Sequence, residues 1–119
     1  MHQMIEDHFA QSSPGEQWLI SEQTAAYIAP ETMSDGAWNV LFIATMPEAR
    51  SCGHGARMMG FIEARLRASA ARLLLVETSG TPQFHRTRAF YDRLGYERCG
   101  RIAGYFGPDD DKVIYVKNL

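Results

Sequence analysis

The chain lacks several features that mark whole protein classes. Its 119 residues include only two cysteines, Cys52 and Cys99, too few for a disulfide framework. No apolar run approaches the roughly 18 residues that a membrane-spanning helix needs, so no membrane partner is expected. The formal net charge is only −2, which argues against nucleic acid as the main partner. What remains is a globular enzyme or binding domain, and the length predicts a single domain over residues 1–119.

Two further absences concern location and metals. Residues 1–7 contain no basic region followed by an apolar core, so no secretory signal is expected. The two cysteines are therefore predicted to be free thiols in a reducing cytoplasm. No histidine stands in a metal-ligand spacing with another histidine, a cysteine or a carboxylate, so no metal site is predicted; the four are His2, His8, His54 and His85.

The hydrophobic pattern predicts the element order α-β-β-β-α-β-α-β-β. Helical spacing of apolar residues indicates a first helix within Met1–Ala10, and later helices are predicted from the Gly55 region to Ala70 and from Pro82 to a Gly95 cap. The predicted strands are Gln17–Ser21, Ala25–Pro30, Trp38–Thr45, Leu73–Glu77, Tyr96–Phe106 and Lys112–Lys117. The almost continuously apolar third strand is expected to be buried on both faces, and Gly107–Asp111 is expected to form a hairpin turn. The fold class is α/β: a mixed, mostly antiparallel sheet with a central parallel strand pair, flanked by helices.

The stretch Met46–Ala56 joins the third strand to the helix that follows it. It carries Gly53 and Gly55, which let a bulky anion approach the backbone closely. Free N–H groups at the positive end of the helix could bind that anion. The stretch is not a Walker loop, because it lacks the Gly-Lys-Ser/Thr ending, and a dinucleotide fingerprint would need a third glycine where Met58 stands.

Three blocks of residues resemble the GNAT superfamily of N-acetyltransferases. Arg50-x-x-Gly53-x-Gly55-Ala56 resembles its acetyl-coenzyme A loop, preceded by a strand ending and Pro-Glu in Phe42–Glu48. The block Arg88–Tyr96 is similar to the Phe-Tyr-x-x-x-Gly-Phe/Tyr signature of the family. Tyr105-Phe106, followed by Asp111–Ile114, is similar to the paired aromatics and acidic turn before the family's last strand. The resemblance covers roughly residues 18–119 and implies a GNAT-like sheet.

The resemblance implies a cofactor site for acetyl-CoA as co-substrate. Backbone donors of the loop would bind the pyrophosphate, Arg50 would add positive charge, and the strand before the loop would pair with the pantetheine amides. Transfer in this family is direct, so the Cys52 thiol is incidental. The other interpretation is an ordinary helix N-terminus with glycines for turning. The implied residues are Ile43, Ala44, Thr45, Arg50, Ser51, Cys52, Gly53, His54, Gly55 and Ala56.

The resemblance implies two catalytic residues. Tyr91 stands where the family has a tyrosine that protonates the departing thiolate, although it could instead be a core residue. Glu77 resembles the general base of the branch that acts on ribosomal protein N-termini; otherwise it is a solvated strand end. Two positions depart from the family. Asn39 replaces the glutamate of the histone acetyltransferases and cannot titrate, and Phe84 replaces an asparagine that binds coenzyme A.

The predicted function is direct acetyl transfer from acetyl-CoA to a primary amine of a small molecule or a protein N-terminus. The alternatives are a non-catalytic acyl-CoA-binding or regulatory domain and an interaction domain with no cofactor. The family's first strand and first helix are missing here, which predicts an open sheet edge or face covered by a second subunit in a homodimer. Arg86 and Arg88 could reach the 3′-phosphate of the coenzyme or belong to a solvated helix face.

Overall fold

The computed structural model describes residues 6–8, 15–50 and 52–119. The strands are β1 (Glu6–His8), β2 (Gln17–Ile20), β3 (Thr24–Pro30), β4 (Ala37–Thr45), β5 (Leu73–Ser79), β6 (Glu97–Gly107) and β7 (Asp110–Asn118). The helices are α1 (His54–Ala68) and α2 (His85–Arg93), with short 3₁₀ turns at Pro47–Ala49 and Pro82–Phe84. All seven strands form one sheet in the order β1-β2-β3-β4-β5-β7-β6.

The sheet confirms the predicted fold class. β4 and β5, joined through α1, form the parallel pair, and every other neighbouring pair is antiparallel. The helix that includes Tyr91 ends as predicted, with Gly95 in the left-handed region at φ 88°. That conformation costs glycine little because it has no Cβ.

Two predicted segments differ from the structure. Residues 6–8 form strand β1, paired antiparallel with β2, so the helix predicted over Met1–Ala10 is wrong there, and the remainder of that range lies outside the described residues. Pairing along a neighbouring strand outweighed a helical spacing that rested on a few apolar residues. The predicted five-residue hairpin turn shortens to Pro108–Asp109, since Gly107 already pairs with Asp110 and the next acidic residues belong to β7.

The core lies on one face of the sheet, beneath both helices. The apolar stripe of α1, Met58, Met59, Ile62 and Leu66, is almost completely buried. It packs in one cluster with the inward side chains of the strands: Leu19, Ala26, Ile28, Val40, Leu74, Val76, Val113 and Tyr115. This burial anchors the start of α1, and with it the loop that precedes α1.

The opposite face, here called the open face, carries no helix among the described residues. Trp18 lies against Tyr27 with ring centroids 4.7 Å apart, and against Phe42 at 5.8 Å. Leu41 and Phe42 remain 53% and 47% exposed, so the prediction that β4 is buried on both faces is wrong for its second half. A continuous apolar run does not reveal whether anything packs on its second face.

A buried polar cluster fastens α1 to the β6–β7 side of the sheet. The Tyr96 hydroxyl donates to Glu63 Oε2 at 2.7 Å, and Lys117 Nζ donates to Glu63 Oε1 at 3.1 Å. Glu63 and Tyr96 are both buried. Burial, followed by the hydrogen bond to Glu63, raises the pKa of the Tyr96 phenol above its usual value. The neutral Tyr96 phenol therefore contributes fully to the stability of the fold below pH ~10, and this contribution is lost as the phenol ionises at higher pH.

Tyr96→Phe should destabilise the fold without affecting the site. The substitution leaves Glu63 Oε2 buried without its donor, which typically costs about 1–3 kcal/mol in the free energy of unfolding. Urea denaturation at neutral pH measures the loss, with the exposed Tyr105→Phe as the matched control. An unchanged urea midpoint for Tyr96→Phe would mean that the hydroxyl contributes nothing net.

Candidate functional site

A cleft opens between β4 and β5 at their carboxyl ends. The two strands pair only from Ala37↔Leu73 to Val40↔Val76, yet β4 continues to Thr45 and β5 to Ser79. Beyond the last pair, the backbone of residues 41–45 has no strand partner on its β5 side. Parallel strands that diverge in this way form the usual ligand crevice of α/β sheets.

A cavity of about 890 Å³ occupies the helix side of this cleft. Three segments line it: the end of β4, the loop before α1, and most of α2. Its residues are Ile43, Ala44, Thr45, Ala49, Arg50, Gly53, His54, Gly55, Ala56, His85, Arg86, Thr87, Ala89, Phe90, Tyr91, Arg93 and Leu94. The cavity thus brings together Tyr91 and eight of the ten predicted cofactor residues. The other two do not line it: Cys52 is exposed nearby, and Ser51 lies outside the described residues.

The loop before α1 has the shape of an anion cradle. Gly53 is the N-cap of α1 with φ 82°, in the left-handed region that favours glycine. The first hydrogen bond of the helix runs from the Arg57 N–H to the Gly53 oxygen at 3.0 Å, so the amides of the preceding turn have no partner within the helix. A Cβ on Gly55 would stand 3.3 Å from the Phe90 ring, so glycine keeps the passage between α1 and α2 open.

Tyr91 lies on α2 at the inner wall of the cavity. It is only 3% exposed, and its ring packs against Phe90, Tyr96 and Tyr115 with centroid separations of 5.1, 5.7 and 5.7 Å. Burial raises the pKa of the Tyr91 phenol to about 12. The hydroxyl is therefore protonated at neutral pH and available as a donor.

Glu77 lies in a different environment from Tyr91. It is the first β5 residue after the last β4–β5 pair, but it alternates with the buried Val76 and Thr78 and so belongs to the open face. Its carboxylate accepts an ion pair from Lys112 Nζ at 3.0 Å, and that ammonium lies 3.8 Å from the Tyr105 ring centroid. Glu77 does not line the cavity.

The remaining singled-out side chains also have definite places. Asn39 is buried and donates to Glu31 Oε1 at 3.0 Å. Phe84 is partly exposed and does not line the cavity. Arg88 donates to the carbonyl oxygens of Ser79 and Thr81, both at 2.8 Å, so its guanidinium ties the end of β5 to the start of α2. Only Arg86 of the predicted arginine pair faces the cavity.

Several lining residues were not singled out from the sequence. They are Ala49, His85, Thr87, Ala89, Phe90, Arg93 and Leu94. Phe90 and Arg93 both stand inside the Phe-Tyr-x-x-x-Gly block, and Arg93 follows Arg86 by two helical turns, which puts them on one face of α2. From the sequence, this seven-residue spacing was the only indication that Arg93 would share a helix face with Arg86.

The comparisons with known proteins come from structure alone, because no protein-family model and no curated protein sequence matches the chain. A Desulfovibrio desulfuricans protein assigned to the GNAT acetyltransferase family superimposes with a TM-score of 0.85 at 26% identity, over 87% of this chain and 69% of its own. An Elizabethkingia anophelis GNAT acetyltransferase with acetyl-CoA bound gives 0.83 at 10%, over 98% of each chain. The chain has the GNAT fold. The Escherichia coli ribosomal-protein-S18-alanine N-acetyltransferase gives 0.72 at 16%, over 87% and 68%.

The cleft of this GNAT-fold chain fits an extended, anionic ligand. The unpaired edge of β4 offers backbone partners, Gly53 and Gly55 keep the loop open, and no carboxylate lines the cavity. Among the described residues, no cluster of three or more His, Cys, Asp and Glu side chains could hold a metal ion. Within the same residues, no helix is both long and apolar enough to cross a membrane.

Proposed function

We propose that the chain is an N-acetyltransferase that transfers an acetyl group directly from acetyl-CoA to a primary amine of a small molecule or a protein N-terminus. The observation that carries this proposal is the β4–β5 cleft, in which one cavity joins a glycine-bearing anion cradle, an unpaired strand edge and the Tyr91 phenol. The Elizabethkingia structure of the same fold has acetyl-CoA bound, and the Escherichia coli structure is of an enzyme named for acetylating a protein's alanine.

The loop and β4 would bind and orient the thioester. The backbone N–H groups of residues 51–56 would donate hydrogen bonds to the pyrophosphate at the N-terminus of α1, and the Arg50 guanidinium would add charge-assisted hydrogen bonds. The pantetheine amides would pair with the backbone of residues 43–45, as an added strand does. One N–H of that stretch could also stabilise the oxyanion that forms at the thioester carbonyl.

Tyr91 and Glu77 would move the protons. The amine nitrogen bonds to the carbonyl carbon, the carbon–sulfur bond breaks, and the thiolate takes a proton from the Tyr91 hydroxyl, which is later restored from water. Glu77 borders the gap beyond the last β4–β5 pair and would take the amine proton, directly or through water. An incoming cationic amine could replace Lys112 beside this carboxylate.

The alternative is an acyl-CoA-binding or regulatory domain without turnover. The ion pair of Glu77 with Lys112, together with Asn39 and Phe84 at two family positions, favours it. Thiol release from acetyl-CoA across a panel of primary amines decides between the two. Release only with amine supports the transferase. Thermal stabilisation by coenzyme A without release supports the binding domain, and no stabilisation at millimolar coenzyme A supports a cofactor-free interaction domain.

We further propose a cytoplasmic homodimer built from single-domain subunits of residues 1–119. The open face exposes large apolar side chains, and β1 and β6 are the two edges of the sheet. An exposed apolar face or an unpaired edge is a surface that a second subunit could cover. The particular edge expected from a missing first strand is not open, because β1 pairs with β2 there. Both cysteines are exposed free thiols, as suits a reducing compartment.

Light scattering at tens of micromolar protein should give the mass of two chains. Phe42→Glu on the open face should shift that mass toward one chain, because a charge would then be buried at the interface. The matched control is Met33→Glu, at a fully exposed turn position. A single-chain mass for the unmodified protein would refute the dimer.

A further inference from the structure

The arginines of this chain divide into two groups. Seven of the ten have an acceptor within the protein. Arg57 pairs with His54, Arg65 with Gln17, Arg72 with the Asp35 carbonyl and Arg88 with two carbonyls, while Arg67, Arg98 and Arg101 pair with carboxylates. Only Arg50, Arg86 and Arg93 have no acceptor within residues 15–50 and 52–119.

These three guanidinium groups line the same cavity. Arg50 approaches from the loop before α1, and Arg86 and Arg93 from α2. No aspartate or glutamate stands among the lining residues, so three positive charges share one cavity without a protein counter-charge. Like charges repel, and this arrangement gives the fold no stability. Its natural complement is a ligand with several negative charges.

The three arginines belong to two different elements: Arg86 and Arg93 to α2, and Arg50 to the loop before α1. Arg86 and Arg93 are seven residues apart, hence on one face of the helix and separated by about 10 Å along its axis. In the proposed function, Arg50 and the loop N–H groups already bind the diphosphate at the start of α1. The two α2 arginines line the same cavity from a different element, and a planar guanidinium fork suits a phosphate monoester.

We propose that Arg86 and Arg93 bind the 3′-phosphate of the coenzyme, so that the site selects the phosphorylated nucleotide over its dephosphorylated form. This assignment rests on the proposed function, because it presumes that coenzyme A occupies the cleft. It replaces Arg88, whose guanidinium is taken up by the Ser79 and Thr81 carbonyls. Since Arg86 and Arg93 are exposed, the discrimination should weaken as ionic strength rises.

Calorimetry with two ligands tests the proposal. The ligands are coenzyme A and 3′-dephospho-coenzyme A, and the proteins are the unmodified chain, Arg86→Gln/Arg93→Gln, and the control Arg67→Gln/Arg98→Gln, which removes two exposed, paired arginines outside the cavity. The unmodified chain and the control should bind coenzyme A about 10- to 100-fold more tightly than the dephospho form. The α2 double variant should bind both ligands with the affinity that the unmodified chain has for the dephospho form.

Other results separate the two proposals. If the unmodified chain binds both ligands equally, or the α2 variant weakens both by the same factor, the 3′-phosphate assignment is wrong while the coenzyme site stands. If the unmodified chain binds neither ligand at millimolar concentration, the proposed function itself fails.

Discussion

Tyr91→Phe should lower kcat by about 10²–10⁴-fold with little change in KM for acetyl-CoA. The ring is packed among Phe90, Tyr96 and Tyr115, and phenylalanine preserves that packing. The substitution removes only the hydroxyl that would protonate the leaving thiolate. General-acid catalysis typically contributes about 10²–10⁴-fold to the rate. Steady-state kinetics at saturating amine measure it. Equal turnover of the variant and the unmodified protein would make Tyr91 a core residue, with the proton coming from water.

The pH profile adds a readout that packing alone would not change. Because burial raises the Tyr91 pKa to about 12, the phenol stays protonated well past the usual phenol range near pH 10. If Tyr91 is the proposed acid, the kcat of the unmodified protein should therefore show no descending limb near pH 10. A limb near that pH that disappears in Tyr91→Phe would show that the phenol is ordinary and solvated. The matched control is Tyr105→Phe, a 54% exposed tyrosine on β6 that does not line the cavity.

Gly53→Val should abolish measurable coenzyme A binding while the fold survives. Gly53 has φ 82° at the N-cap of α1, where a β-branched residue is strongly disfavoured, so the loop would refold and turn its amides away. A Cβ at position 53 would contact only the Arg57 Nη1 atom, at 3.5 Å, so no clash within the protein is expected. The loss of binding would come from the change in backbone conformation and from the side chain filling space that the ligand needs. Calorimetry should show at least a 100-fold loss of affinity, on the order of 3 kcal/mol.

Gly60→Val is the matched control for this loop. Gly60 lies within α1, its built Cβ has nothing within 4 Å, and it is outside the cavity lining. The same substitution there should leave the Kd for coenzyme A unchanged. Normal binding by Gly53→Val would show that the loop is not the site, and comparable loss in both variants would indicate damage to α1 as a whole.

The sequence predicted those parts of the molecule that are local. The apolar stripe of α1 and the glycine spacing of the loop depend on residues close together in the chain, and both are where they were expected. Strand β1 was missed because its backbone pairing with β2 is a tertiary contact that local spacing does not encode. The exposure of Leu41 and Phe42 was missed because sequence periodicity does not say what covers a sheet face.

The site was predicted in the same uneven way. The loop and Tyr91 sit in recognisable blocks and reach one cavity, whereas Glu77 was not brought to that cavity because strand alternation sends its side chain to the other face. The seven-residue spacing could have grouped Arg86 with Arg93 on one face of α2, apart from Arg88. The sequence could not show that the Arg88 guanidinium is bound by the Ser79 and Thr81 carbonyls, because those contacts depend on the folded arrangement.

The Arg88 contacts decide how rigid one wall of the cleft is before any ligand arrives. The Arg88 guanidinium donates to the carbonyl oxygens of Ser79 and Thr81, so it connects α2 to the end of β5 and to the turn that leads from β5 to α2. Because Tyr91 lies on the same helix as Arg88, these contacts hold the helix that would carry the proposed acid. When this wall is ordered before a ligand binds, binding does not carry the entropic cost of ordering a loop. Groups on the wall can then stabilise developing charge without first reorganising.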